Sequence, residues 1–318
     1  MKKRVLITNV IPEVAYIRLS HRFQVTWNKH PLTEAQLAVK IRPFHAVLTT
    51  LADPMTAQVL NSAPNLKCVA NFAVGYNNID LVTAKSLGIW VTNTPDVLTE
   101  ATADIAWSLI LACARRVPEG ERLIRTTGFK GWGAMFLLGQ DLVGKTLGVY
   151  GFGRIGKAVA RRGKGWNMPV LYHQRHRESR LVEKRYNAKY VSFQVLLKHS
   201  DVLSVNAPLT PETKHRFTLK EFKQMKPKSI FINASRGLIH KEVDLVKALK
   251  EKTIASAGLD VYEFEPKINK DLIKLNNCVL LPHLGSATLE TRTKMADLAA
   301  ENIELVLLGR RPKTPVIK

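Results

Sequence analysis

Thr146-Leu147-Gly148-Val149-Tyr150-Gly151-Phe152-Gly153-Arg154-Ile155-Gly156-Lys157-Ala158-Val159-Ala160-Arg161-Arg162 is the stretch on which the fold turns. An apolar run ends in Gly-x-Gly-x-x-Gly, and a helix-like stretch follows at once. A strand before the glycines and a helix after them is the context in which this spacing binds a dinucleotide. Gly151 permits the tight turn, Gly153 lets the backbone approach a pyrophosphate, and Gly156 lets helix and strand pack closely. The free amides at the helix start then face the anion.

The next apolar run, Val170-Leu171-Tyr172-His173, ends in Gln174-Arg175-His176-Arg177. A site for NAD places an acid about 20 residues beyond the first glycine, to accept from the ribose 2′-hydroxyl. This segment offers Arg175 and Arg177 instead, whose guanidinium forks suit a 2′-phosphate. NADP(H) is therefore expected over NAD(H).

Outward from this unit, short Val-, Ile- and Leu-rich runs alternate with longer amphipathic stretches, the pattern of parallel sheets covered by helices. Strands are expected at 5–9, 23–27, 46–50, 68–71 and 90–93, with a helix at 54–62. No Gly-rich loop follows any of these strands. A long helix is expected at 99–117, with Thr99 as N-cap and Pro118 as its stop. Further strands are expected at 146–150, 170–173, 202–206, 229–233, 257–261 and 279–281, an order that matches a doubly wound sheet. A last helix is expected at 288–308. The reading is of an α/β protein in which a nucleotide domain, 99–287, is inserted into a first domain made of 1–98 and 288–318.

The 318 residues suffice for two domains, and an apolar fraction of 46% excludes wholesale disorder. No apolar run approaches the roughly 18 residues of a membrane span, and Thr8 and Asn9 interrupt the first apolar run, so a cytoplasmic protein without membrane contact is expected. Cys68, Cys113 and Cys278 lie far apart in apolar stretches, which suits buried thiols in a reducing compartment and suggests no metal site. The formal net charge of +22 fits a nucleic-acid binder or an enzyme of anionic substrates. The basic residues are spread along the chain, so nucleic acid is not the expected partner.

Three chemically suggestive groups follow three successive expected strands. Arg236 stands in Asn233-Ala234-Ser235-Arg236-Gly237, acids stand in Gly258-Leu259-Asp260-Val261-Tyr262-Glu263-Phe264-Glu265-Pro266, and His283 ends Cys278-Val279-Leu280-Leu281-Pro282-His283. Open α/β sheets bind ligands at the carboxyl ends of their strands. An arginine there can hold a carboxylate bidentately and polarise the carbonyl beside it. A histidine beside a carboxylate is an acid–base group suited to neutral pH. The set points to hydride transfer between a nicotinamide and a small 2-oxo or 2-hydroxy acid.

Across nearly its whole length the chain resembles the D-isomer-specific 2-hydroxyacid dehydrogenases, most closely the glyoxylate/hydroxypyruvate reductases. The resemblance rests on Ala73-Val74-Gly75-Tyr76-Asn77-Asn78-Ile79-Asp80, Thr94-Pro95-Asp96-Val97-Leu98-Thr99-Glu100, the Gly151 loop, Asn233–Gly237, Gly258–Pro266 and Pro282-His283-Leu284-Gly285-Ser286-Ala287-Thr288. It implies a Rossmann domain within a flavodoxin-like substrate domain. It implies catalytic roles for Arg236, Glu265 and His283, with the Val74 and Gly75 amides helping to hold the substrate carboxylate. Thr102, Arg154, Ile155, Asp260 and Gly285 fall on positions that line the cofactor, and Gln174, Arg175 and Ala234 complete the expected cofactor contacts. Two departures stand out. Asn77 replaces a commoner aspartate while Asp80 is kept, and His240-Lys241-Glu242 replaces the usual valine-aspartate pattern, away from the expected chemistry.

Other readings are a D-lactate-like or phosphoglycerate-like dehydrogenase, or a corepressor that uses the same fold to bind partners. The formate dehydrogenase branch is disfavoured because its members carry glutamine where Glu265 stands. A homodimer is expected, since Phe129, Trp132, Met135 and Phe136 crowd the connection 128–138 and the family pairs through this region.

Overall fold

The computed structural model describes residues 2–318 and divides into two units, one running through Leu98 and resuming at Ser286–Lys318, the other Thr99–Gly285. The first unit begins β1 (Arg4–Ile7), α1 (Val14–Ser20), β2 (Gln24–Trp27), α2 (Glu34–Lys40), β3 (Ala46–Thr49), α3 (Ala57–Asn61), β4 (Cys68–Asn71), α4 (Leu81–Ser86) and β5 (Trp90–Thr92). Side chains of Thr33, Thr56 and Asp80 accept from backbone amides and start α2, α3 and α4.

The second unit opens with α5 (Thr99–Arg115) and α6 (Val117–Thr126). Thr99 is already helical, so it is not the N-cap. The break between the helices is Arg116, in the left-handed region at φ 54°, and Pro118 belongs to the first turn of α6. Proline there loses no hydrogen bond and its fixed φ suits the helix, so it starts one helix rather than stopping another. Then follow β6 (Leu147–Tyr150), α7 (Arg154–Gly163), β7 (Val170–His173), α8 (Arg180–Tyr186), β8 (Ala188–Tyr190), α9 (Phe193–His199), β9 (Val202–Val205), α10 (Leu219–Phe222), β10 (Ile230–Asn233), α11 (Glu242–Lys250), β11 (Ser256–Leu259), α12 (Lys270–Ile273) and β12 (Cys278–Leu280). The sheet order is β12-β11-β10-β9-β6-β7-β8, all parallel, the doubly wound dinucleotide order extended by one strand. β8 is a strand that the sequence reading did not foresee. Alternate residues serve opposite layers: Leu147, Val149, Ile230 and Ile232 meet α5 and α7, while Leu203, Val205, Phe231 and Leu259 meet α9 and α11.

The chain then returns to the first unit with α13 (Leu289–Leu307), capped by Thr288, and β13 (Pro315–Ile317). That unit's sheet runs β13-β5-β4-β3-β1-β2, parallel except for the antiparallel β13 at its edge, which was likewise not foreseen. The parallel part has the flavodoxin-like order. Its residues also split by parity, with Val5, Ile7, Ala46 and Leu48 against α1 and α13, and Leu6, Val47, Val69 and Val91 against α2, α3 and α4. Among the described residues no helix is long and apolar enough to cross a membrane.

Two glycines fix the join between β6 and α7. Gly151 has φ +91°, and a Cβ on Gly156 would lie 2.1 Å from the Gly151 carbonyl oxygen. Backbone cannot yield cheaply, so Gly156→Ala is expected to cost about 1–3 kcal/mol in chemical denaturation. A variant as stable as the parent would mean that the helix can shift away.

Candidate active site

The site of the second unit is built from strand register. Tyr150 pairs with Val205, Val205 with Asn233, Asn233 with Leu259 and Leu259 with Leu280. Because all these strands are parallel, the residues after them emerge at one edge: Gly151 after β6, Ala234 after β10, Asp260 after β11 and Leu281 after β12.

At this edge α7 begins with Gly153 as N-cap, followed by Arg154, Ile155 and Gly156. A Cβ on Gly153 would meet nothing within 4 Å, so the surrounding protein does not demand glycine there. Open space over a helix start is what an approaching pyrophosphate needs, and the loop fits a dinucleotide. Gln174, expected as a cofactor contact, spends its side chain on the protein. Its Oε1 accepts from Phe152 N at 2.9 Å, and its Nε2 donates to His176 O at 2.8 Å and Glu178 Oε1 at 3.2 Å. It braces the glycine loop from the neighbouring strand. Arg177 is engaged too, in a two-pronged pair with Glu183 at 2.9 and 2.7 Å. That hydrogen bond, joined by one from the Tyr172 hydroxyl and opposed by burial, draws the Glu183 carboxyl down to about 2. Arg175 is exposed and forms no ion pair among the described residues.

The turn after β10 carries Arg236 and is held by the buried Asn233. Asn233 Oδ1 accepts from Ser235 N at 3.0 Å, and its Nδ2 donates to Arg236 O at 2.9 Å. Ser235 Oγ donates to Ala207 O, tying the turn to the end of β9. Ala234 lies between these anchors, partly buried. The Arg236 guanidinium donates to Ser235 O at 2.7 Å. Burial draws it below its ordinary value, and the Glu265 charge acts in the opposite direction.

Three carboxylates that follow the next strand have three different settings. Asp260 is fully buried and accepts from the amides of Leu284 at 2.6 Å and Gly285 at 2.8 Å, so it shapes the turn bearing His283. Burial raises its carboxyl, and those amides pull the other way. Thr102 Oγ1 donates to Gly285 O at 3.0 Å and pins the same turn from α5. Glu263 contacts His215 Nε2 at 2.8 Å and accepts from Glu242 N at 2.9 Å, while its own amide donates to Glu242 Oε1 at 2.6 Å. Its side chain is only 8% exposed, so Glu263 is committed to structure.

Glu265 differs. Its Oε1 accepts from Tyr262 N at 2.9 Å, and its Oε2 lies 2.9 Å from His283 Nδ1. Burial works to raise this carboxyl. The hydrogen bond and charge of His283, the Tyr262 amide and Arg236 together outweigh it and hold the carboxyl below its ordinary value. Both side chains remain 36% exposed. With Nδ1 turned to the carboxylate, Nε2 is the ring nitrogen left to meet a ligand.

Val74 and Gly75 belong to the other unit, in the loop after β4. Asn93 Nδ2 donates to Val74 O at 2.8 Å and Asn71 Nδ2 to Gly75 O at 2.7 Å, which fixes the loop by its carbonyls. Asp80 caps α4 through Thr83 N at 2.9 Å. His240, expected to lie away from the chemistry, meets the residue that braces the arginine turn. It is fully buried, with Nδ1 3.0 Å from Asn233 Nδ2. The sequence signal was present, a histidine at an apolar helix-entry position, but its partner seven residues back could not be read from spacing. Among the described residues no cluster of His, Cys, Asp and Glu is placed to hold a metal.

Residues 107–285 match the family model for the D-isomer specific 2-hydroxyacid dehydrogenase NAD binding domain. A glyoxylate reductase of Thermococcus litoralis is 46% identical, with 100% of this chain and 98% of that protein covered. The NADPH-dependent glyoxylate/hydroxypyruvate reductase of Sinorhizobium meliloti, solved with NADP and malonate, superposes with a TM-score of 0.90 at 34% identity, covering 99% of this chain and 97% of that one. The D-mandelate dehydrogenase of Rhodotorula graminis gives 0.91 at 28% identity over 100% and 99% of the two chains. On its strand order, its glycine loop and these matches over its whole length, the chain belongs to the D-isomer-specific 2-hydroxyacid dehydrogenases.

Proposed function

We propose that the protein reduces a small 2-oxo acid, glyoxylate or hydroxypyruvate, with NADPH in preference to NADH. The observation that carries this reading is the 2.9 Å contact between Glu265 Oε2 and His283 Nδ1 at the strand edge that also bears Arg236 and the glycine loop. The relatives named above support the substrate class.

With the dinucleotide's pyrophosphate held at the glycine loop, its nicotinamide would supply the hydride. The Arg236 guanidinium grips the substrate carboxylate and draws electron density from the adjacent carbonyl. His283 Nε2 gives its proton to the carbonyl oxygen as the hydroxyl forms. Before that transfer Glu265 stabilises the positively charged ring, and it keeps the ring turned so that Nε2 faces the substrate.

A panel of 2-oxo acids with each nicotinamide tests the reading. Glyoxylate or hydroxypyruvate should be the best substrate and a neutral aldehyde a poor one. Failure to reduce any 2-oxo acid would overturn it.

Arg175 carries the cofactor preference, because Arg177 is held by Glu183. Arg175→Asp should lower kcat/KM for NADPH about ten- to hundred-fold, the worth of one charge-assisted contact, and leave NADH nearly unchanged. Equal losses with both cofactors would assign Arg175 no part in the choice.

The lowered Glu265 carboxyl sets the sign of a pH test. Protonating the Glu265 carboxyl would break its bond to His283, so kcat/KM for reduction should hold as pH falls through the ordinary carboxylate range and be lost only below it. In Glu265→Gln that acid limb should disappear while the rate falls at every pH. An acid limb that stays in place in Glu265→Gln would mean that another group titrates there.

We also propose a homodimer. Trp132, Met135 and Phe129 are 86%, 80% and 63% exposed in the connection after α6, and Val117 and Ile124 of α6 are more than half exposed. Light scattering at micromolar concentration should give twice the 35.7 kDa chain mass. Trp132→Glu should shift the protein toward monomer, and a parent that is already monomeric would refute the pairing.

A further inference from the structure

The Asn233 carboxamide is fully used. Its oxygen accepts from Ser235 N, and its nitrogen has two hydrogens, one donated to Arg236 O at 2.9 Å. The Arg236 carbonyl can only accept, so the nitrogen end of the amide is the one that faces it. The second hydrogen points to His240 Nδ1 at 3.0 Å. Nδ1 must then be the acceptor, and the ring proton sits on Nε2, which is buried without a partner. Burial, with His215 adding to it, draws His240 down to about 3, so the ring is neutral at any pH at which the enzyme would work.

We infer that His240 is a positioning residue for the substrate arginine: its Nδ1 locks the Asn233 carboxamide in the one orientation that closes the turn 234–236 and aims Arg236. This rests on the reading of Arg236 as the substrate-carboxylate group. The backbone around His240 makes it a rigid post. Its amide donates to Gly237 O at 3.1 Å, the next amide donates to Phe217 O at 3.0 Å, and its ring packs edge-on against Phe231 at 5.9 Å. Two residues on, Glu242 exchanges amide–carboxylate bonds with Glu263. The short segment 233–242 thereby connects the arginine turn to the loop that ends in Glu265. An apolar side chain at 240 would fill the same space and leave one Asn233 N–H without an acceptor, freeing the carboxamide to turn.

Two variants separate acceptor from volume. His240→Leu removes the acceptor, while His240→Asn can present Oδ1 where Nδ1 stood. With the folded state checked by circular dichroism, His240→Leu should raise KM for the 2-oxo acid about ten- to hundred-fold, as misplacement of a binding group does. The fall in kcat should be smaller than the rise in KM, and His240→Asn should recover most of the loss. In the parent, long-range proton–nitrogen NMR of the histidine rings should show His240 with an unprotonated Nδ1 and a protonated Nε2. That readout holds even if His240→Leu fails to fold. Arg236→Gln run in parallel keeps the two claims apart. If it leaves KM unchanged, the reading of Arg236 fails and the positioning claim falls with it. If it raises KM while a folded His240→Leu does not, or if the parent ring carries its proton on Nδ1, the positioning claim alone is overturned.

Discussion

Parallel pairing across the second sheet obliges every strand to deliver its following residues to the same edge, and the site depends on that constraint. Arg236 comes three residues after β10, His283 three after β12, and Glu265 six after β11. They are far apart in sequence, yet the register Asn233–Leu259–Leu280 brings their turns side by side. The glycine loop after β6 reaches the same edge through Val205 of β9. Buried polar groups then hold each turn in shape: Asn233 for the arginine, Asp260 for the histidine and Glu242 with Glu263 for the segment before Glu265. Unpaired, these groups would each be costly inside the protein, so satisfying them leaves the turns little freedom.

The division of labour among the carboxylates follows from what surrounds each. Each of the three has one partner on each oxygen, but Asp260 and Glu263 are enclosed by protein, with two amides on the first and an amide and an imidazole on the second. Glu265 accepts one amide, keeps its other oxygen on His283 and stays partly exposed. Environment rather than residue type distinguishes the partly exposed carboxylate that contacts His283.

Much of this was legible in the sequence because it is local. The glycine loop, the apolar strands and the Asn-Ala-Ser-Arg-Gly and Pro-His turns each announce themselves within ten residues. β8 and β13 were not legible. Each is three residues long at a sheet edge, and β13 pairs antiparallel with β5 over 220 residues of chain, which no local period records. Pro118 was misread because a proline ends one helix and begins another with equal ease, and only the left-handed Arg116 shows which happens here. At the site, the sequence shows which residue types are present but not which are already spoken for. Gln174 and Arg177 looked available and are bound to Phe152, His176 and Glu183, while His240 looked remote and touches Asn233. Those assignments depend on side-chain geometry across turns.

The central claim is that Glu265 and His283 act as one acid–base unit. A double-mutant cycle in kcat/KM for 2-oxo acid reduction tests it, using Glu265→Gln, His283→Gln and the pair together. Groups that act as a unit are grossly non-additive, so the double variant should be about as slow as His283→Gln alone. Losses that multiply, with the double variant as slow as the product of the two single effects, would contradict the account.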